Sequence, residues 1–322
     1  MYRLHTDIQI GNYRFQSITS VTVAKSVHLL SDTCTITMPN KFKVRNDNQE
    51  LFSEEALKVG DTVIVKLGYT DVYEGEEFRG YVAKINPKVP LEVICEDAFW
   101  LLKRKPISKA YNEGVDLKTL LEDLLSGTGV SLARNIPDIQ LGKYTIKNAN
   151  AAQVLEKIKS DMGLTIYIDD NNDLFAGLEQ TNNAGQEVLY DLNYNIVENN
   201  LEYRTSEDRK IKIKYVFIDK KNKKTELEFG DEDGEVRTYH TSTVKDPSKL
   251  KEMAEAQLKK LKYDGYDGNI KSFLVPFASR GMSARLVDET RPSRDGLYFI
   301  PKVVTKYGMN GARRTTEISN RL

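Results

Sequence analysis

Asp169-x-Asn171-x-Asp173 sets three oxygen-bearing side chains at alternate positions, as the start of a calcium-binding loop does. The pattern then departs from that chemistry. Leu174 stands where such a loop needs glycine for its sharp turn, and Gln180 where it needs a bidentate Glu. The segment reads as a hairpin turn. Asp231-Glu232-Asp233-Gly234 reads as a turn too, with no further ligands within reach along the sequence. His5, His28 and His240 are scattered, without metal spacing such as H-E-x-x-H, and read as surface or strand residues. Cys34 and Cys95 are the two cysteines; both lie in strand-like contexts and read as small buried hydrophobes. The chain has no Gly-x-Ser-x-Gly elbow, phosphate loop or dinucleotide fingerprint. Carboxylates are plentiful, so a glycosidase pair stays open, but nothing marks one pair out from solvated surface charge. We expect no catalytic residue, no metal site and no cofactor.

Two features suit contact rather than catalysis. Trp100 is the single tryptophan. It reads as a structural anchor where a first β unit meets the next module; the competing reading is an interface hot spot between subunits. The Lys220 to Lys224 cluster reads as a solvated hairpin tip, with contact to DNA or a partner as the competing role.

The surrounding elements are mostly strands. A chain of 322 residues suggests two or three domains. With 40% hydrophobic and 29% charged residues it has the composition of a folded globular chain. Lys+Arg and Asp+Glu are both 47, which argues against a dedicated nucleic-acid binder. No apolar run approaches the roughly 20 residues of a membrane span. The opening MYRLHTDIQIG lacks the apolar stretch of a secretory signal, and we expect a chain made and assembled in the cytoplasm.

Residues 1–56 read as β, with alternation at Tyr2–Ile10 and Asp32–Met38, a β-branched segment at Ile18–Val27, and a polar loop at Phe42–Glu54. Short strands so evenly spaced suggest a barrel or sandwich. Asp116 caps an expected helix carrying Leu117, Leu120, Leu121, Leu124 and Leu125, and Gly127 ends it. Asn150 and Gln153 form a capping-box-like start to a second helix, which stops at Gly163. Two strands joined at Asp169–Asp173 follow. Ile211, Ile213, Tyr215 and Phe217 alternate with Lys210, Lys212 and Lys214, and Thr225, Leu227 and Phe229 with Glu226 and Glu228. The Lys and Glu faces are expected to pair across a long hairpin. Asp246 and Pro247 open a third helix lined by Leu250, Met253, Ala254, Leu258 and Leu261. Strands are then expected at Ile270–Val275, Ala284–Val287, Leu297–Lys306 and Ala312–Ile318.

The stretch Leu57–Arg104 organises the whole. It reads Gly60-Asp61-x-Val63-x-Val65, an acidic loop at Glu74–Glu77, then Phe78-x-Gly80-Tyr81-Val82-x-x-Ile85. It ends Cys95-Glu96-Asp97-x-x-Trp100-x-Leu102-Lys103-Arg104. Gly80 inside a strand marks a bulge or a close backbone approach. This order and spacing resembles the phage late control D family, the baseplate hub proteins of contractile tails, related to the base of type VI secretion spike proteins. Gly281-x-x-Ala284-x-Leu286 followed by Gly296-x-Tyr298-x-Ile300-x-x-Val303 echoes it loosely near the C-terminus.

The resemblance implies a mostly β fold with an α+β insertion: two tube-like antiparallel β-barrel domains flanking a small α+β module. The boundaries expected are 1–104 for the first barrel, 105–180 for the module and 181–322 for the second barrel. The second carries a hairpin-and-helix insertion at about 207–265. It also implies a homotrimer whose six similar barrels let a three-fold spike meet a six-fold tail tube. Tail tube protein, spike protein and other baseplate proteins are the implied partners. DNA or an effector would pass through the channel, and the protein would reside in the virion tail or an injection-device baseplate. Two other classes stay open: a tail-associated peptidoglycan-degrading enzyme, and a carbohydrate- or receptor-binding β protein.

Overall fold

The alternation that dominates the sequence becomes strand over most of the chain. The computed structural model describes residues 3–44, 50–162, 164–177, 186–218, 224–241 and 247–322. The fold is mostly β, with large antiparallel sheets and small α insertions.

The first third holds β1 (Leu4–Ile10), β2 (Tyr13–Phe15), β3 (Ser20–Ser26), β4 (Thr33–Met38), β5 (Lys41–Lys43), β6 (Glu50–Phe52), α1 (Ser53–Ala56), β7 (Thr62–Tyr69), β8 (Tyr73–Asn86), β9 (Leu91–Glu96) and α2 (Phe99–Leu102). Period-2 spacing puts Val63, Val65 and Leu67 of β7 on one buried face with Ile8 and Ile10 of β1. Each such side chain contributes about 1.5–3 kcal/mol by leaving water. Two expectations are corrected here. The polar stretch after Phe42 is not all loop: β5 and β6 pair as a small hairpin, anchored by Phe42 packing edge-on against Tyr13 and Phe15. The acidic residues Glu74–Glu77 are not a loop either but lie within β8. The turn comes earlier, at Thr70–Val72, where Asp71 has φ 60. Gly80 does mark a close approach: a Cβ there would sit 2.1 Å from the Glu96 carbonyl.

A middle region follows: β10 (Pro106–Asp116), α3 (Leu117–Leu125), β11 (Ser131–Leu132), β12 (Gln140–Asn150), α4 (Ala151–Met162), β13 (Thr165–Ile168) and β14 (Asp173–Gly177). Asp116 caps α3 by accepting from the Thr119 N–H at 2.9 Å. Asn150 and Gln153 exchange side-chain-to-backbone bonds of 2.9 and 2.8 Å, a complete capping box. The leucines of α3 and Val154, Leu155 and Ile158 of α4 share one core. The antiparallel ribbon of β10 and β12 was not expected. Its strands are broken by register shifts and mostly exposed, so they lack a clean alternation. Gly163 lies outside the described residues.

The last region holds β15 (Glu187–Asp191), β16 (Glu198–Arg204), β17 (Ile211–Ile218), β18 (Lys224–Gly230), β19 (Glu235–Thr241), α5 (Pro247–Leu261), β20 (Gly265–Ser272), β21 (Ser283–Val287), β22 (Gly296–Phe299), β23 (Lys302–Gly308) and β24 (Gly311–Ile318). Strands β17–β19 form a separate sheet whose buried Ile211, Ile213 and Tyr215 meet Leu250 and Ala254 of α5. Lys214 pairs with Glu226 across β17 and β18 at 2.5 Å, as the alternation implied. The hairpin gains a third strand, β19, parallel to β17. Three corrections apply. Met253 is 42% exposed, off the packed face of α5. The strand expected at Ile270–Val275 starts earlier, at Gly265, and ends at Ser272. The single strand expected at Leu297–Lys306 is two strands in different sheets, separated at Ile300 and Pro301. Asp246, the expected cap of α5, lies outside the described residues.

Sheet topology shows one strand path used twice. In the first third the neighbours run β1-β7-β8-β9-β4-β3. In the last region they run β15-β21-β22, continue through β23, and proceed β24-β20-β16. Taken in chain order, first matches first and last matches last along both paths. The entry turns agree in hydrogen bonding. Gly60 N–H donates to the Val82 carbonyl at 2.8 Å and Val82 N–H to that of Asp61 at 2.9 Å. Gly281 N–H donates to the Ile300 carbonyl at 2.9 Å and Ile300 N–H to that of Met282 at 3.0 Å. Both glycines have positive φ, 98° and 82°. The copies differ in two ways. β1 runs antiparallel to β7 whereas β15 runs parallel to β21. The second copy also carries β17–β19 and α5 between β16 and β20. Antiparallel pairing of β23 with β3 joins the copies into an 11-stranded sheet.

Candidate functional site

A cluster of charged side chains lies where all three regions meet. Strand β3 ends in Lys25 and Ser26, the following loop supplies Ser31 and Asp32, and Asp97 sits just before α2. The turn after β13 brings Asp170, and Arg280 immediately precedes the glycine that opens the second hairpin. The Arg280 guanidinium lies 2.8 Å from Asp32 and 2.6 Å from Asp170, and also donates to the Ile168 carbonyl. Lys25 reaches the same Asp170 oxygen at 2.7 Å. Asp32 accepts from Ser26 N–H at 3.1 Å. Asp97 accepts from Ser31 Oγ, Asp32 N–H and Phe99 N–H at 2.9, 2.8 and 2.9 Å. Lys25, Asp32, Asp97, Asp170 and Arg280 line a cavity of about 100 Å³.

Burial and charge pull the carboxyls apart. Desolvation outweighs Arg280 at Asp32 and raises its pKa. Desolvation and the neighbouring Asp32 push Asp97 up to about 7. Desolvation also opposes ionisation of Asp170, yet Arg280 and Lys25 hold it well below the usual carboxylate range. Arg280 stays charged because Asp32 and Asp170 outweigh its own desolvation. Two carboxyls with raised pKa and one held well below the usual range, around one buried arginine, make an electrostatic joint between regions.

A second buried pair fastens the copies. Glu77 of β8 meets Arg314 of β24 at 2.5 Å, with side chains 2% and 0% exposed. Thr305 Oγ1 adds a 3.1 Å bond to Glu77, and Arg314 also donates to the Leu274 and Pro276 carbonyls.

The sequence-marked residues fall elsewhere. Asp169 accepts from the Asn171 and Asp173 N–H groups at 2.8 and 3.0 Å and so closes a turn on itself. Its neighbour Asp170, which the sequence did not single out, points into the joint. Trp100 is partly buried, its ring stacked on Tyr81 at 5.2 Å and covered by the Arg104 guanidinium at 3.7 Å. It lies against the entry turn of the first copy, where a Cβ on Gly60 would come within 3.2 Å of the indole. Cys34 and Cys95 face each other across β4 and β9 as buried free thiols, and burial pushes Cys95 up to about 12. His5 lies 2.7 Å from Glu74. Lys220–Asn222 and Lys223 lie outside the described residues, and Lys224 begins β18. Arg280 and Arg314 were missed because nothing in their flanking residues distinguishes a buried arginine from a surface one.

No protein-family model matches the chain, and no curated protein matches it in sequence. Solved structures do match in fold. A 43 kDa tail protein of prophage MuSo2 from Shewanella oneidensis superposes with a TM-score of 0.67 at 14% identity, covering 98% of each chain. A tail protein from Neisseria meningitidis gives 0.64 at 14% identity, over 100% of this chain and 97% of that one. An Escherichia coli type VI secretion component, described as similar to bacteriophage T4 tail proteins, gives 0.56 at 9% identity over 97% and 76%. What the chain shares with these proteins is the fold.

Proposed function

We propose that the protein is the baseplate hub of a contractile phage tail or a related contractile injection device. In this reading it is a structural, non-enzymatic protein that assembles as a homotrimer. The observation that carries the reading is the recurrence of one strand path within one chain. A closed ring needs a matched interface at every position. Three chains, each with two copies, offer six similar faces while keeping three-fold symmetry. One end would seat the first ring of the tail tube and the other the spike, with further baseplate proteins around it. DNA or an effector would pass along the channel. The fold shared with phage tail proteins and a type VI secretion component supports this assignment and a place in the virion tail or device baseplate. The copies would correspond to units 1–104 and 181–322, tube-like in form, with 105–180 as the module between them. Trp100, beside the entry turn of the first unit, would anchor that unit to the module. Co-expression with the spike protein, followed by light scattering, tests the reading. A complex containing three copies of this chain is expected; a monomer in the presence of the spike would overturn it.

A further inference from the structure

The seam inside the chain predicts the seam between chains. Within one chain, β23 of the second copy pairs with β3 of the first. The residues aligned across the two copies can be followed strand by strand. In the first, Ile85 faces Val93, Val93 faces Ile36, and Ile36 faces Val21. In the second, Val303 faces Thr316, Thr316 faces Ile270, and Ile270 faces Asn199. The end of β8 is thus the counterpart of β23, and β16 is the counterpart of β3.

Both counterparts have a free edge. Among the described residues, β16 pairs only with β20, and Lys84–Asn86 of β8 pair only with β9, because the ladder with β7 ends at Thr62 opposite Tyr81. An unpaired edge presents a row of N–H and C=O groups that accepts another strand. Burial agrees. The inward positions Val21 and Val23 of β3 are buried, while the matching Asn199 is exposed and Leu201 half-buried.

We infer that β16 of one subunit pairs antiparallel with the end of β8 of the next, in the register of the internal seam. The inference rests on the ring reading above. Val304 faces Ala24 and Val303 faces Lys25 inside the chain. Asn86 of one subunit therefore faces Glu202 of its neighbour, and Ile85 faces Tyr203. Lys84, two residues before Asn86 on β8 and exposed, lies diagonal to the exposed Glu202. Arg204, which falls opposite Lys84, is held by Glu202 of its own chain at 2.8 Å.

The test places Asn86→Cys and Glu202→Cys in one full-length chain and treats the assembled protein with a short bis-maleimide. The native Cys34 and Cys95 are 0% exposed and give no background on the folded protein. Covalent dimers and trimers are expected from the double variant and neither from the single ones. In a second arm, Glu202→Lys is expected to weaken association several-fold, and adding Lys84→Glu to recover it. A trimer by light scattering without cross-linked chains would overturn this seam and leave the ring reading standing. A monomer at every concentration, with the spike present or absent, would overturn both.

Discussion

The two entry turns make the sharpest comparison in the molecule. Gly60 and Gly281 share positive φ and the same pair of backbone hydrogen bonds, yet the residues just before them behave oppositely. Val59 is 54% exposed, whereas Arg280 is buried in the joint. Strand β3, covered by β23, buries alternate side chains, and β16, its counterpart, leaves most of its own exposed. The backbone hydrogen bonds of the entry turns are common to the copies, and side chains decide which faces close inside the chain and which stay open. The same path can therefore be internal once and peripheral once, as the proposed ring of identical chains requires.

Removing the buried fastener between the copies should have the largest effect. Arg314→Ala leaves Glu77 buried without its cation and is expected to cost about 3–5 kcal/mol by denaturant unfolding. The double variant Arg314→Met, Glu77→Leu should recover most of that loss, because an apolar pair needs no charge compensation. If the single variant cost under about 1 kcal/mol, the pair would not join the copies. Arg280→Ala strips the buried Asp32 of its cation while Asp170 keeps Lys25, and a loss toward the lower end of the same range, about 3 kcal/mol, is expected.

The joint also has a pH signature. Asp97 has a folded pKa of about 7, above its unfolded value, so the folded state binds the extra proton between about pH 4 and 7. Its contribution to stability is therefore largest below the unfolded pKa and is lost as pH rises through about 7. Asp32 acts in the same direction. Asp170 acts oppositely: its depressed pKa gives stability above about pH 4 that fades in stronger acid. Asp97→Asn should flatten a slope of up to about 1.4 kcal/mol per pH unit between pH 4 and 7 in urea titrations. An unchanged slope would place the titration elsewhere.

Substitution of the turn glycines sharpens the comparison further. Gly60→Ala and Gly281→Ala each force a side chain into positive φ, at about 1–2 kcal/mol. At Gly60 the new Cβ also comes within 3.2 Å of the Trp100 indole, so Trp100→Ala should lower the cost of Gly60→Ala and leave that of Gly281→Ala unchanged. Equal costs before and after removing the indole would contradict the packing described. The smallest effect is expected from Lys214→Ala. Its loss of Glu226 on an exposed sheet face should cost about 0.2–1 kcal/mol and shrink with added salt.

Local chemistry was legible where it acts within a few residues. The Asp116 cap, the Asn150–Gln153 capping box, and the Lys and Glu faces of β17 and β18 all depend on short spacings. The β10–β12 ribbon was not legible, because its strands bury little and so alternate little. The break at Ile300–Pro301 was hidden by the apolar residues on both sides of it. Glu77 looked like part of an acidic loop because its partner, Arg314, comes from the far end of the sequence. Asp170 and Arg280 were hidden for the same reason: their meaning arises from three regions converging. The glycine echo, faint as a sequence repeat, pointed to turns whose hydrogen bonds do correspond.

Cryo-electron microscopy of the assembly formed with the spike measures the central claim most directly. The account predicts three chains around one axis, with the β1–β9 and β15–β24 copies alternating at roughly 60° intervals. A ring built from another number of chains, or one in which the two copies lie at different heights instead of alternating around the axis, would contradict it.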